Sequence, residues 1–142
     1  SPLPSVLYNF PGVTNGVDLD SDVIANLAKK HPGKVTGVKL TCASVGKITR
    51  LAAQVTQEEF AVFGGQSDFL ISGLSVGSAG CIAAFANVFP KVVMRIYDLW
   101  QQGKTQEALK LHQRAALAER ACKGGEHHMS LLVRRNRQAS RL

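Results

Sequence analysis

Along this chain, four short apolar runs alternate with segments of helical periodicity. Strands separated by helical crossovers do not close as hairpins. They line up in a parallel sheet with helices packed on it. The first run, residues 5–10, is rich in strand formers and stops at Pro11-Gly12, a turn signal. Asp20, Ser21 and Asp22 offer N-cap chemistry for a helix through Ile24, Leu27 and Ala28, which Pro32 closes near His31. Residues 34–41 predict a second strand, and Ser44 caps a helix carrying Val45, Ile48, Leu51 and Ala52 at helical spacing. Residues 60–63 predict a third strand ended by Gly64-Gly65, residues 69–76 a short helix, and residues 80–85 a fourth strand of small and apolar side chains. Pro90 suits the first turn of a helix that runs through Trp100 and closes near Gly103. Residues 105–121 predict an amphipathic helix with Ala108, Leu109, Leu111 and Leu117 on or near one side.

The resulting order, β-α-β-α-β-α-β-α-α, fits both an open doubly wound sheet and a (β/α)8 barrel. A complete barrel needs about 250 residues, so a chain of this length is roughly half of one. The 142 residues suit a single domain able to bury a core. With 19% charged residues, 13 glycines and 5 prolines, the composition excludes a disordered chain and a collagen. Cys42, Cys81 and Cys122 form no CxxC pair, which predicts free thiols in a reducing compartment and a cytoplasmic location. No apolar run reaches the roughly 18 residues that span a bilayer, so no membrane partner is expected. The Ser-Pro-Leu-Pro start has neither a basic leader region nor an initiator methionine, so the chain is expected to begin partway through something longer.

The net charge of +7 is unevenly spread: residues 126–142 hold Arg134, Arg135, Arg137 and Arg141 against Glu126. A basic tail of this kind either binds an anionic partner or is a solvated terminus. With Trp100 the only tryptophan, no aromatic stacking platform accompanies it, and nucleic acid is not an expected partner.

In parallel α/β architectures, function gathers beyond the C-terminal ends of the strands. Tyr8, Asn9 and Pro11 close the first run, and Lys39 stands between Val38 and Leu40 in the second. A lysine inside a buried strand is costly unless paired or deprotonated, and desolvation shifts its pKa downward, as a Schiff-base amine requires. A lysine at a strand terminus instead extends its stem to water. Tyr8 is either a functional phenol or a core tyrosine with a satisfied hydroxyl. Gly64-Gly65-Gln66-Ser67-Asp68 permits close backbone approach to a small ligand, but it is neither GxGxxG nor a P-loop. His127-His128 with Cys122 has no regular zinc spacing, so no metal is expected; His31 and His112 have no identifiable catalytic partner.

Four segments, in order, resemble the C-terminal half of the dihydrodipicolinate synthase / N-acetylneuraminate lyase family over about residues 1–125. Tyr8-Asn9-Phe10-Pro11 is similar to its Tyr-Asn-x-Pro motif, and Gly37-Val38-Lys39-Leu40-Thr41 to the Gly-x-Lys segment of barrel strand six. Phe60 to Gly65 resembles strand seven, and the stretch from Gly73 to Ile82, with Ala86, Asn87, Val88 and Pro90, resembles the passage into strand eight. The resemblance implies a partial (β/α)8 TIM barrel, strands five to eight with a C-terminal helix, over residues 1–125, followed by a divergent basic tail at 126–142. It implies that Lys39 forms an imine with pyruvate or another 2-oxo acid, that Tyr8 shuttles protons, and that backbone at Gly65 and Ile82 lines the pyruvate pocket. It implies no cofactor.

Val13 stands where the family's synthases carry a substrate-binding arginine. That departure points to the aldolase branches acting on 4-hydroxy-2-oxoglutarate or 2-keto-3-deoxy sugar acids. Segments matching strands one to four are absent, and with them part of the family's proton relay. Two outcomes are therefore expected: a Schiff-base lyase incomplete in this chain, or a non-catalytic fragment that partners the full-length enzyme. A half barrel also exposes two sheet edges and an apolar face, which predicts a homo-oligomer or association through that exposed face.

Overall fold

A computed structural model of the protein describes residues 2–123. The basic stretch at 126–142, with His127 and His128, lies outside the described residues. Four strands, β1 (Ser5–Asn9), β2 (Val35–Leu40), β3 (Ala61–Gly64) and β4 (Gly80–Cys81), form one parallel sheet in the order β1-β2-β3-β4. Helices α1 (Ser21–Lys30), α2 (Val45–Ala52) and α3 (Leu70–Leu74) make the crossovers, and α4 (Pro90–Gln101) and α5 (Thr105–Lys123) follow β4. The expected α/β class with a parallel sheet holds.

Local chemistry explains most boundaries. The Asp20 carboxylate accepts from the Asp22 N–H at 2.9 Å, and the Ser44 hydroxyl accepts from the Lys47 N–H at 3.2 Å, each satisfying an orphan donor of a first turn. Pro90 opens α4, and Gly103, with φ +73°, turns the chain into α5.

Strand alternation sends Leu7, Val38, Leu40 and Val62 to one face, where they meet Ile24, Ala25, Ile48 and Leu51 of α1 and α2. Ile48 and Leu51 are wholly buried, so truncating either to alanine costs about 2–5 kcal/mol. A second cluster, built on Leu70, Ile71, Phe85, Ile96 and Leu99, joins α3, α4 and α5. The opposite sheet face carries Val6, Tyr8, Lys39 and Phe63, and Val6 and Tyr8 stand half exposed there. No described helix is long and apolar enough to cross a membrane.

Two expectations need correction. The fourth strand is only Gly80–Cys81, not residues 80–85, and Ala84–Asn87 form a 3-10 turn. β3 ends at Gly64, so beyond the bond from Ile82 N–H to Gly64 O at 2.8 Å there is no ladder left to continue. The buried stripe of α5 is Ala108, His112, Ala115 and Glu119 rather than one including Leu117, which is 72% exposed. Glu119 and His112 turn inward because polar partners on the β3–α3 loop await them.

Candidate active site

The parallel register stacks the strand ends in rows. Tyr8, Lys39, Phe63 and Gly80 face one another across the sheet, one residue short of the row Asn9, Leu40, Gly64 and Cys81. The ladder runs one rung further, with Thr41 N–H donating to Asn9 O at 2.9 Å, Gly65 N–H to Leu40 O at 2.9 Å and Ile82 N–H to Gly64 O at 2.8 Å. Alternation therefore puts Tyr8 and Lys39 in one row, and Thr41, Gly65 and Ile82 two rows on, toward the same face. Among the described residues α1 and α2 pack on the other face, and these positions sit at the C-terminal ends of the strands.

Lys39 and Tyr8 meet directly. The Lys39 Nζ lies over the Tyr8 ring, 4.3 Å from its centroid, within reach of a cation–π attraction. The Tyr8 ring leans on Phe10, centroid to centroid 5.6 Å. Lys39 is the penultimate residue of β2 and partly buried, so its stem is packed and its amine reaches the open face. Tyr8 is 52% exposed and so is no core tyrosine.

Gly65 is fixed by contact with Thr41. A side chain there would overlap the Thr41 Oγ1 and sit 2.5 Å from the Thr41 Cα, so only glycine fits. The Thr41 Oγ1 is buried and has no hydrogen-bond partner among the described residues. A buried hydroxyl without a partner costs about 1–3 kcal/mol and is a ready contact for a polar ligand atom. Two residues on, Ala43 takes φ +56°, a left-handed conformation that a side chain disfavours. Ile82 is 44% exposed at the end of β4.

Loops around the row are tied down by Asn9 and by polar groups absent from the sequence-based candidates. Asn9, buried at the end of β1, donates through Nδ2 to Asp18 Oδ1 at 2.6 Å, and its Oδ1 accepts from the Leu19 N–H at 2.9 Å. Lys47 of α2, itself buried, pairs with Asp18 and donates to Leu19 O at 2.6 Å. The hydrogen bonds from Asn9 and Lys47, reinforced by the Lys47 charge, hold the Asp18 carboxyl below the usual carboxylate range. The β3–α3 loop is gripped instead by α5: Ser67 bonds Glu119 and His112. Burial, then the charge of Glu119, pushes the Cys81 thiol up to about 11.

The sequence reading thus singled out none of Thr41, Lys47, Asp18 and Glu119, and gave His112 no partner. A signal existed for three of them. Lys47 stands four residues before Leu51, on the apolar stripe of α2, and His112 and Glu119 share the stripe of Ala108 and Ala115. A charge on an apolar stripe needs a partner.

Residues 1–123 match the dihydrodipicolinate synthetase family. A Coccidioides immitis protein provisionally named a mitochondrial 4-hydroxy-2-oxoglutarate aldolase is 70% identical over 125 residues, covering 88% of this chain and 40% of that protein. An Emericella nidulans protein with a similarly provisional name, again mitochondrial, is 44% identical over 126 residues, with 88% and 40% covered. Among solved structures, a prophage protein of Escherichia coli K12 from the dihydrodipicolinic acid synthase family, in complex with pyruvate, superposes with a TM-score of 0.81 at 28% identity, covering 93% of this chain and 44% of that one. The chain thus spans about two-fifths of the length of the curated relatives it matches, 40% in both cases. The expected cytoplasmic location is overturned by the same names, since both relatives are designated mitochondrial.

Proposed function

Because the chain belongs to the dihydrodipicolinate synthetase family, we propose that it carries the lysine-imine centre of an aldolase acting on 2-oxo acids. The observation that carries this reading is the Lys39 amine seated over the Tyr8 ring at the C-terminal ends of parallel strands. The unprotonated Lys39 Nζ attacks the ketone carbon of the 2-oxo acid. The carbinolamine loses water and leaves a protonated imine. When the substrate is a 4-hydroxy-2-oxo acid, the 4-hydroxyl gives up its proton and the C3–C4 bond breaks. The bonding electrons flow into the imine to form an enamine, and the far fragment leaves as an aldehyde. A proton then returns to C3, and water releases pyruvate from Lys39. Tyr8 is the group that carries these protons. Backbone at Gly65 and Ile82 lines the pyruvate pocket, and the unpartnered Thr41 hydroxyl offers it a hydrogen bond.

The names of the relatives favour 4-hydroxy-2-oxoglutarate as substrate, which cleaves to pyruvate and glyoxylate, and the mitochondrion as compartment. Val13, in place of the synthases' arginine, supports the aldolase branch. In this reading residues 1–125 are the C-terminal half of a TIM barrel, ending in a basic segment at 126–142. The half-exposed Val6, Tyr8 and Ile82 are then interior positions of the full barrel, and the uncovered face promotes self-association. The alternative expected from the sequence is a non-catalytic partner of the full-length enzyme.

The test is borohydride reduction in the presence of pyruvate, read by peptide mass spectrometry. A reduced pyruvate adduct on Lys39, lost in Lys39→Ala, is expected. Tyr8→Phe should keep the adduct and slow turnover of 4-hydroxy-2-oxoglutarate. A folded chain that traps nothing removes the catalytic reading and leaves the partner reading.

A further inference from the structure

We infer that Glu119, on α5, is a positioning residue that sets the Gly65 wall of the site; this rests on the pyruvate reading above. Ser67 is wholly buried, and α5 satisfies every polar atom it offers. Its N–H donates to Glu119 Oε2 at 3.2 Å, and its hydroxyl donates to the same oxygen. Its carbonyl lies 2.8 Å from His112 Nε2, and since a carbonyl only accepts, that nitrogen carries the proton. The other Glu119 oxygen, Oε1, pairs with Lys123 Nζ at 3.2 Å. Lys123 also donates to Gln66 Oε1 at 3.1 Å and pairs with Asp68 Oδ2 at 3.4 Å. One stripe of α5 thereby holds all of residues 66–68.

A carboxylate that is 2% exposed is costly unless both oxygens are bonded. Packing alone would be met by alanine, as at Ala108 and Ala115 on the same stripe. What Glu119 adds is a grip on one loop more than fifty positions earlier in the chain. Gly65 lies two residues before Ser67 and is already fixed on its other side. Its N–H donates to Leu40 O, and its Cα lies too near Thr41 to accept a side chain. With one end against β2 and the other on Glu119, the segment has no freedom to shift. Releasing Glu119 frees the outer end and lets the Gly65 backbone drift from the position that pyruvate requires.

The experiment uses the full chain and four variants: Glu119→Gln, Glu119→Ala, Ser67→Ala, and Leu117→Ala on the exposed side of α5. Two quantities are read: amide hydrogen exchange at Gly65 and Ser67, and the pyruvate concentration giving half-maximal borohydride trapping at Lys39. For Glu119→Ala and Ser67→Ala, both should change about tenfold, the worth of one charge-assisted hydrogen bond. Exchange should quicken at these amides with β2 protection retained, and half-saturation should rise with the trapping plateau retained. Glu119→Gln, which keeps an acceptor for Ser67, should restore much of both, and Leu117→Ala should change neither. If Glu119→Ala fails to fold, Ser67→Ala and Glu119→Gln decide. Half-saturation that stays constant, or a plateau that falls without it, overturns the inference while leaving the imine chemistry intact. Absence of trapping in the unsubstituted chain overturns both.

Discussion

An alanine at Gly65 tests how rigidly the strand ends are packed. Its methyl carbon would lie 2.5 Å from the Thr41 Cα and 2.7 Å from the Thr41 Cβ. Carbon atoms rest at about 3.5–4.0 Å, so the overlap exceeds roughly 0.8 Å. Because one of the opposing atoms is backbone, a rotamer change at Thr41 cannot relieve it. Relief requires β2 and the β3–α3 loop to separate, which lengthens the bond from Gly65 N–H to Leu40 O, now 2.9 Å. Overpacking costs about 1–3 kcal/mol, and the backbone clash places this case at about 3 kcal/mol. For a chain of this size each kcal/mol moves the melting temperature by about 3 °C, so Gly65→Ala should melt some 8–10 °C lower. Circular dichroism melts and urea titrations read the change. Gly46, inside α2, is the matched control. Its nearest foreign atom is the Arg50 guanidinium at 3.6 Å, and Gly46→Ala should gain about 0.5–1 kcal/mol from the helix backbone. In a double-mutant cycle with Thr41→Gly, the Gly65→Ala loss should shrink by about 1 kcal/mol, because Cβ and Oγ1 leave while Cα remains. A Gly65→Ala chain that melts at or above the unsubstituted temperature would refute the tight-approach argument.

Two further outcomes follow from local chemistry. Ala43→Gly removes a Cβ from a φ of +56° and should raise stability by about 0.5–1 kcal/mol, less than the full left-handed penalty because glycine also loosens the unfolded chain; a lower melting temperature refutes the strain. Asp18 has a folded pKa below its unfolded value near 3.9, so its contribution is present above that pH and lost as pH falls through the lower folded value. The urea midpoint of Asp18→Asn should therefore lie below that of the unsubstituted chain at pH 7, with the gap closing below about pH 4; a gap constant from pH 7 to 2.5 refutes the pairing with Asn9 and Lys47.

Elements whose cause is local were legible from the sequence. The Asp20 and Ser44 caps, the Pro90 start and the strand run at 34–41 act within a few residues, and each reappears in the fold. β4 was read too long because strand length there depends on a neighbour: residues 82–85 are small and apolar, but β3 stops at Gly64 and offers no partner. The inward stripe of α5 escaped for a similar reason. A hydropathy pattern ranks Leu117 above Glu119, yet Glu119 has Ser67 to bond and Leu117 faces no pocket in the core. Lys39 resisted a choice between a buried lysine and a terminal one because it is part of each, half-buried one residue from the end of β2 with its amine over the Tyr8 ring.

The division of labour across the sheet follows from the same alternation. One face of β1–β3 is committed to α1 and α2, and its residues are interchangeable hydrophobes within limits of volume. The other face is not the one α1 and α2 cover, so stability places fewer demands on it, and it can carry a lysine, a tyrosine and a threonine hydroxyl with no partner among the described residues. Freedom in composition would be useless if the strand ends drifted. Backbone devices prevent that: the extra ladder rung at Thr41, Gly65 and Ile82, the Asn9–Asp18–Lys47 tie behind β1, and the grip of α5 behind β3. Each acts from the helix side or through the main chain, so none occupies the open face. The geometry there is therefore held in large part from behind, by Asp18, Lys47, Glu119 and Ser67, which is why substitutions at Ser67 or Lys47 should disturb the Lys39 row more than substitutions at exposed Val6, on the same face as Lys39.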